Sequence, residues 1–147
     1  MFREEAVWYE IKNILSSAPQ LSYIKKVYEG WRENVPQDGF PCIYLEPAST
    51  DEEGMSFAVK RNIKFNVKII AEMLCHDFDK QIVGDDNIKG IIDIANDIKS
   101  VLWATPNLNG KCIQFNFTNT IYEFKNFPFR HCEINMQIQM AVLGNTR

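Results

Sequence analysis

Two adjacent cysteine–histidine pairs are the residues of this chain best suited to metal chemistry. Cys75-His76 precedes Asp77, and His131 precedes Cys132. Zinc sites favour ligands separated by two to four residues, because both side chains must turn toward one ion. Neighbouring residues of a strand point to opposite faces, so the second pair predicts Cys132 in the core and His131 on a polar face. The first pair lies in a connector, where a loop metal at His76 and Asp77 is the alternative to a solvated polar loop.

Other catalytic patterns are weaker. The chain contains no G-x-G-x-x-G or G-x-x-x-x-G-K phosphate loop. Asp93 and Asp97 lie four residues apart on a predicted helix, which is typical of a solvated helix face. Nucleophilic catalysis needs a base within reach of the nucleophile, and neither histidine lies in a strand–turn–helix elbow. None of these patterns indicates catalysis, so we expect no cofactor or metal, and an enzyme with a loop metal at His76 and Asp77 is the weakest of the functional hypotheses.

Length and charge narrow the class of protein. A chain of 147 residues predicts a single domain over residues 1–147. Sixteen basic and nineteen acidic residues leave a net charge of −3, which is too mild to predict a generally nucleic-acid-seeking surface. Glu4, Glu5 and Glu10 interrupt the apolar pattern of the N-terminus, so we expect no signal peptide. Uncharged stretches are far shorter than a membrane span, and we expect no membrane contact.

Hydrophobic periodicity predicts the element order α-β-β-β-α-β-β. Asp85 or Asp86 is expected to cap the second helix. Residues 47–55, PASTDEEGM, are expected to form a polar loop, and residues 125–128, KNFP, to turn the last hairpin. The predicted helices span about Arg3–Ser17 and Asp86–Ala104, and the predicted strands span about Leu21–Gly30, Cys42–Glu46, Phe57–Ala71, Ile113–Ile121 and Cys132–Val142.

Each long strand has one apolar face. In the first strand of the last hairpin that face is predicted to hold Ile113, Phe115, Phe117 and Ile121. Two amphipathic helices need a surface to cover, so the economical arrangement puts both on the apolar side of one sheet. We therefore predict an α+β fold with one mainly antiparallel sheet and two α-helices packed on one face. The opposite, amide-rich face is expected to meet water or another polar surface.

The polar face also offers a nucleic-acid hypothesis. Lys60, Lys64 and Lys68 form a stripe interleaved with Asn62 and Asn66. Aromatic side chains for base stacking are missing from that stripe, so a solvated or subunit-facing strand is favoured over a nucleic-acid-binding module.

Aromatic side chains suggest a contact surface. Phe124, Phe127 and Phe129 surround the last hairpin turn, and Trp31 lies in the first long loop. Such positions are usually exposed, and large apolar groups there either fold back on the core or serve as contacts. Self-association through these four residues is one hypothesis, and packing against the core is the other.

The order of these segments carries a family resemblance. FPCIYLEP precedes the long strand RNIKFNVKII, a helix then flows into a turn in IIDIANDIKSVLWATPNLNGK, and the hairpin ends in PFRHCEINMQIQM. Over about residues 9–142 the chain resembles the tail-terminator, or tail-completion, proteins of tailed bacteriophages. Its first long loop, residues 30–41, is longer than the family leads us to expect.

The resemblance implies a structural protein of the virion, assembled in the bacterial host cytoplasm. Proteins of this kind form rings, commonly hexamers, that cap the tail tube or join it to the head. The implied partners are copies of the same chain and the tail-tube and head-completion proteins, while DNA passes through the central channel without specific binding. The family has no catalytic residues, so none transfer to this chain.

Overall fold

The computed structural model describes residues 3–54, 60–124 and 126–143. Within them the chain forms two α-helices and five strands. The helices are α1 (Arg3–Ser17) and α2 (Ile91–Trp103), and the strands are β1 (Val27–Glu29), β2 (Cys42–Gly54), β3 (Lys60–Leu74), β4 (Gln114–Phe124) and β5 (Phe129–Leu143).

The first helix has the predicted bounds. Glu4 and Glu5 lie in its first turn, where the unpaired N–H groups favour negative charge. Its buried residues Val7, Ile11 and Leu15 are spaced by four, so they form one stripe along the helix. A short 3₁₀ turn follows at Pro19–Leu21, so the predicted first strand shrinks to the three residues of β1.

The strands form one five-stranded sheet in the order β1-β2-β3-β5-β4. Only β1 and β2 pair in parallel, and the three remaining pairs are antiparallel. Alternate residues of β3 and β5 form one core cluster with the buried stripes of both helices. The predicted α+β fold, with a mainly antiparallel sheet and both helices on one face, is therefore confirmed.

The predicted loop at residues 47–55 is wrong for its described part, because β2 continues to Gly54. Pro47 and the acidic residues are poor strand formers, which is why the sequence predicts a loop there. A bulge between Pro47 and Ser49 lets the strand continue, and Ser49 and Asp51 then pair with Asn66 and Lys64 of β3. Polar cross-strand pairs thus hold this segment in the sheet. It lacks the alternation of apolar residues from which a strand is predicted in a sequence.

The predicted start and cap of the second helix are also wrong. Helix α2 begins at Ile91, and Gly90 occupies the N-cap position. The Asp93 carboxylate accepts a hydrogen bond from the Gly90 N–H at 3.0 Å. Asp85 instead accepts from the backbone N–H groups of Asn87 and Ile88 at 2.8 and 3.0 Å, which closes a turn before the helix.

One apolar position of the hairpin lies on the face opposite to the predicted one. Phe117 pairs with Met136, but a register shift follows, and Asn119 pairs with Asn135. Because the bulge inserts one residue, the parity of the rest of β4 reverses. Ile121 consequently lies beside Glu133 on the polar face and is exposed, so its predicted place on the apolar face is wrong.

Several predictions fall on residues that the structure does not describe. The predicted start of the long strand at Phe57–Val59 and the turn residue Lys125 lie outside the described ranges. The backbone of Lys60 is described, but its side chain is not. No helix within the described ranges is long and apolar enough to cross a membrane.

Candidate interaction surfaces

An exposed aromatic cluster lies at the turn between β4 and β5. The rings of Phe78 and Phe127 stack with centroids 4.3 Å apart, and the His76 ring meets Phe127 edge-on at 5.9 Å. Phe78 is 60% exposed and Phe127 is 43% exposed. We call these three residues the hairpin-end patch. Because exposed rings of this size are costly in water, the patch is a candidate contact surface.

The hairpin-end patch is held in place by the segment that follows β3. The Cys75 N–H donates to the carbonyl of Pro128 at 2.9 Å, which ties that segment to the hairpin turn. Gln81 is fully buried; its amide donates to the Cys75 carbonyl at 2.8 Å and accepts from Arg130 Nε at 3.0 Å. These bonds fix the connector that carries Phe78 against the hairpin, so the two rings meet on a rigid base.

The four aromatic residues predicted as contacts have different neighbours. Phe127 belongs to the hairpin-end patch, whereas Phe124 lies under the guanidinium of Arg130, 4.5 Å from its ring centroid. Phe129 is half-buried and meets the ring of Phe40 at 5.3 Å. The role of all four residues as contacts stays a prediction.

The first long loop folds back over the polar face of the sheet. Trp31 lies with its ring centroid 4.8 Å from that of Tyr44, which is fully buried, while Trp31 itself remains 40% exposed. Burial raises the pKa of the Tyr44 hydroxyl well above its ordinary value, so this group stays protonated. The hydroxyl donates to Glu72, also buried, at 3.4 Å.

The covering loop changes the expected character of the polar face. His131 lies on that face as predicted, and Cys132 lies in the core. His131 is nevertheless only 9% exposed, with Nε2 2.9 Å from the Glu123 carboxylate. The expectation of a wholly wet face is therefore wrong at this end of the sheet, because the position of a loop over a sheet is a tertiary contact that strand periodicity does not encode.

At the other end the amide side chains bond sideways to one another. Gln137 donates to Asn66 at 3.2 Å, and Asn66 donates to Ser49 at 2.9 Å, so one chain of bonds crosses three strands. Gln114 donates to Gln139 at 2.8 Å, and Asn135 donates to Asn119 at 2.7 Å. We call this set the amide ladder. Its members satisfy one another across the strands, which suits an exposed polar surface of neutral charge.

The lysine stripe lies among acidic partners. Lys68 Nζ is 3.6 Å from a carboxylate oxygen of Glu133, and Lys64 is the strand partner of Asp51. Both lysines are half-buried. Neighbouring carboxylates reduce the positive potential that nucleic-acid backbones need, so nucleic-acid binding by Lys60, Lys64 and Lys68 stays a prediction without support from this geometry.

The candidate catalytic and metal residues have structural partners. Asp77 accepts from the Asp79 N–H at 3.0 Å, and His76 packs on Phe127. Asp97 accepts from the Tyr23 hydroxyl at 2.6 Å. Burial raises the pKa of the Cys132 thiol to about 11, so this group is a poor nucleophile at neutral pH. Among the described residues, no three His, Cys, Asp or Glu side chains group as a metal site requires.

The exposed rings of Phe78 and Trp103 are not predicted by the sequence analysis. Phe78 lies in a polar connector with no periodic pattern, so nothing in the sequence marks it as the partner of Phe127. Trp103 ends α2, is 58% exposed, and meets the ring of Phe117 on β4 edge-on at 5.1 Å. A signal was available for Trp103, because it lies outside the apolar stripe of its helix.

Comparison with known proteins finds similarity among solved structures. No protein-family model matches the chain, and no curated protein matches it. Among solved structures, it is similar to a chain described as "Virion of native gene transfer agent (GTA) particle". That similarity covers 92% of each chain at 8% identity, with a TM-score of 0.49.

Proposed function

We propose that this chain is a structural subunit of a phage-like virion, a tail terminator or head–tail joining protein that associates with its own copies in a ring. The observation that supports the proposal is the hairpin-end patch. Its two stacked phenylalanine rings are exposed to water, and the buried hydrogen bond from Gln81 to the Cys75 carbonyl fixes the segment that carries Phe78. Rigid, exposed aromatic rings are the side chains that contribute most to protein–protein contacts. The kind of assembly is inferred from the order of the segments, which resembles that of tail-terminator proteins.

A ring of identical subunits needs two different, complementary surfaces on each subunit. The sheet order supplies two surfaces, because β1 and β4 form opposite edges. The hairpin-end patch lies at the turn that joins the edge strand β4 to β5, and the loop with the exposed Trp31 follows the other edge strand, β1. The patch of one copy against the loop of the next would bury both sets of rings.

Charge is compatible with a channel through which DNA moves. The net charge of the chain is −3. The uncovered polar face consists largely of the amide ladder and of lysines beside carboxylates. Such a surface gives the phosphate backbone little net attraction, so DNA would pass without being retained. Tail-tube and head-completion proteins would be the neighbours of the ring, and the virion its location.

Light scattering on the purified chain tests the proposal. We expect oligomers at tens of micromolar, and we expect the double variant Phe78→Ser/Phe127→Ser to weaken self-association at least about tenfold, or about 1.4 kcal/mol. The matched variant Phe78→Leu/Phe127→Leu keeps apolar contact and should remain within a few-fold of the original chain. A chain that stays monomeric, or a serine variant that assembles as well as the original, would contradict the proposal.

A further inference from the structure

A row of apolar side chains lies on the helix side of the sheet, along its edge strand β4. Trp103, at the end of α2, meets the ring of Phe117 edge-on at 5.1 Å, and the ring of Phe117 lies 5.7 Å from that of Phe115. Ile113 precedes Phe115 by two residues and therefore shares its side of the sheet. Trp103 is 58% exposed and Ile113 is 53% exposed. We call these four residues the edge strip.

The composition around the edge strip indicates what could cover it. Exposed rings are costly in water, and tryptophan is among the side chains that contribute most to protein–protein contacts. Residues 98–122 include only two charged residues, Lys99 and Lys111. Lys99 precedes Trp103 by one helical turn, and Lys111 precedes Ile113 by two residues, so the charge beside the strip is positive. A complementary surface is therefore apolar with acidic side chains at its margin.

The other half of the helix side contains a surface of that kind. An open groove of about 250 Å³ lies between α1 and the strands β2 and β3. Its lining residues are Trp8, Tyr9, Pro47, Phe65, Glu4 and Glu5. We call it the helix groove. Phe65 is buried at its base, Tyr9 is 45% exposed, and both of its charged lining residues are acidic. The helix groove thus complements the edge strip in polarity and in charge.

Strand pairing places the edge strip and the helix groove at the same height along the strands. One row of strand partners runs from Phe117 through β5 and β3 to Pro47 of β2. A second row runs from Phe115 through β5 to Phe65 of β3. Both rows therefore begin in the strip and end in the groove. A neighbouring copy in the same orientation would have its edge strip level with this groove.

Two different surfaces near opposite edges of one subunit suit a head-to-tail contact. Side chains of the helix layer make this contact, so it needs no pairing of strands. Strand β1 pairs with residues 43–45 of β2, outside the part of β2 that lines the groove, and keeps its place. One tryptophan buries about 150–250 Å². A stable interface buries about 800 Å² on each partner, so we expect the strip to act together with the hairpin-end patch.

We propose that the edge strip of one copy docks into the helix groove of the next copy, with Trp103 as the inserted ring. This rests on the self-association proposed above and adds a second pair of surfaces to it. Lys99 and Lys111 would then lie on the side of the strip that approaches Glu5 of the next copy. A two-fold contact of strip with strip would instead bring lysines together and leave the groove empty.

Mixing two complementary variants tests the docking. Trp103→Ser removes the inserted ring, and Tyr9→Lys places a positive charge at the groove; both positions are exposed. In sedimentation velocity, each variant alone should self-associate at least about tenfold more weakly than the original chain. A one-to-one mixture should form dimers at concentrations at which each variant alone is monomeric. The reason is that Trp103→Ser keeps an intact groove and Tyr9→Lys keeps an intact strip.

Matched variants separate the docking from effects on folding. Trp103→Phe and Tyr9→Phe keep a ring at each position and should self-associate within a few-fold of the original chain. Ile113→Ser shortens the strip without altering either helix, so it should weaken self-association in the same direction as Trp103→Ser. Circular dichroism on each variant should show the helix and strand content of the original chain.

The outcomes separate this inference from the proposed function. A mixture that associates no better than its two components would overturn the docking. Loss of association in Trp103→Ser but not in Tyr9→Lys would also overturn it, in favour of a two-fold contact. If both variants assemble as well as the original chain and Phe78→Ser/Phe127→Ser does not, the docking is overturned and the proposed function stands. An unchanged chain that stays monomeric would overturn both.

Discussion

Replacing Asp93 tests how the connector before α2 is held. Sequence analysis assigns the helix cap to Asp85 or Asp86, whereas in the structure the Asp93 carboxylate accepts from the backbone N–H groups of Gly84 and Gly90, at 2.8 and 3.0 Å. One oxygen therefore joins the start of the helix to the loop before it. The connector that carries Phe78 ends in this loop, so its position depends on the carboxylate.

The expected loss follows from these two bonds. Asp93→Ala removes the acceptor from both N–H groups, and Gly90 is buried, so water cannot fully replace it. Losing a helix cap costs about 0.5–2 kcal/mol, and a buried N–H left without a partner costs about 1–3 kcal/mol. Because Gly84 is only half-buried, we expect a total of about 2–3 kcal/mol. Asp93→Asn keeps an oxygen but loses the charge at the helix start, so about 1 kcal/mol is expected.

Urea unfolding, followed by circular dichroism, measures these differences. With a denaturant slope of about 2 kcal/mol per molar, Asp93→Ala should lower the midpoint by about 1–1.5 M. The control is Asp86→Ala at an exposed position, which should change the free energy of unfolding by less than about 0.5 kcal/mol. If Asp86→Ala cost as much as Asp93→Ala, the assignment of the cap would be refuted.

Two further predictions concern charged side chains on the two faces of the sheet. Hydrogen bonds from Lys12 and Trp8 lower the pKa of the Glu29 carboxyl, so its stabilising effect is present above the ordinary carboxyl pKa and is lost as the pH falls through the lowered one. Glu29→Gln should therefore reduce the free energy of unfolding at neutral pH by about 1 kcal/mol. This figure is low because the Lys12–Glu29 pair is partly exposed to solvent. In urea titrations at acid pH, the difference between the variant and the original chain should vanish. Because carboxylates neighbour the lysines of the polar face, Lys64→Gln/Lys68→Gln should leave retention on a DNA column unchanged at every salt concentration; a reduced retention with a shallower salt dependence would favour the nucleic-acid hypothesis.

Strong local signals explain what the sequence predicts well. The acidic first turn, the apolar spacing and Pro19 give the bounds of α1, and the long alternation around Ile134–Met140 gives the face of β5. Burial of that alternating set, which includes Ile134, Met136 and Ile138, fixes the register, because a slip by one residue would turn the whole set to water. Fold class follows from these elements, since two amphipathic helices and long half-apolar strands have few ways to pack.

The remaining features depend on contacts between distant residues. A bulge adds one residue without a sequence mark, so the reversal that exposes Ile121 is not visible in the alternation. The hairpin-end patch also depends on residues that are distant in sequence. Phe127 is predicted as a contact from its place in a hairpin, but its stacking partner Phe78 is 49 positions away in a polar segment. Trp31 is predicted as a contact, yet its packing on Tyr44 is a consequence of where the loop lies.

Native mass spectrometry of the purified chain tests the central claim most directly. Head-to-tail contacts between identical subunits close into a ring only when a fixed number of subunits has joined. We therefore expect one discrete assembly larger than a dimer, which dissociates into monomers. Exclusive monomer, or a dimer that never grows, would contradict a ring of subunits joined head to tail.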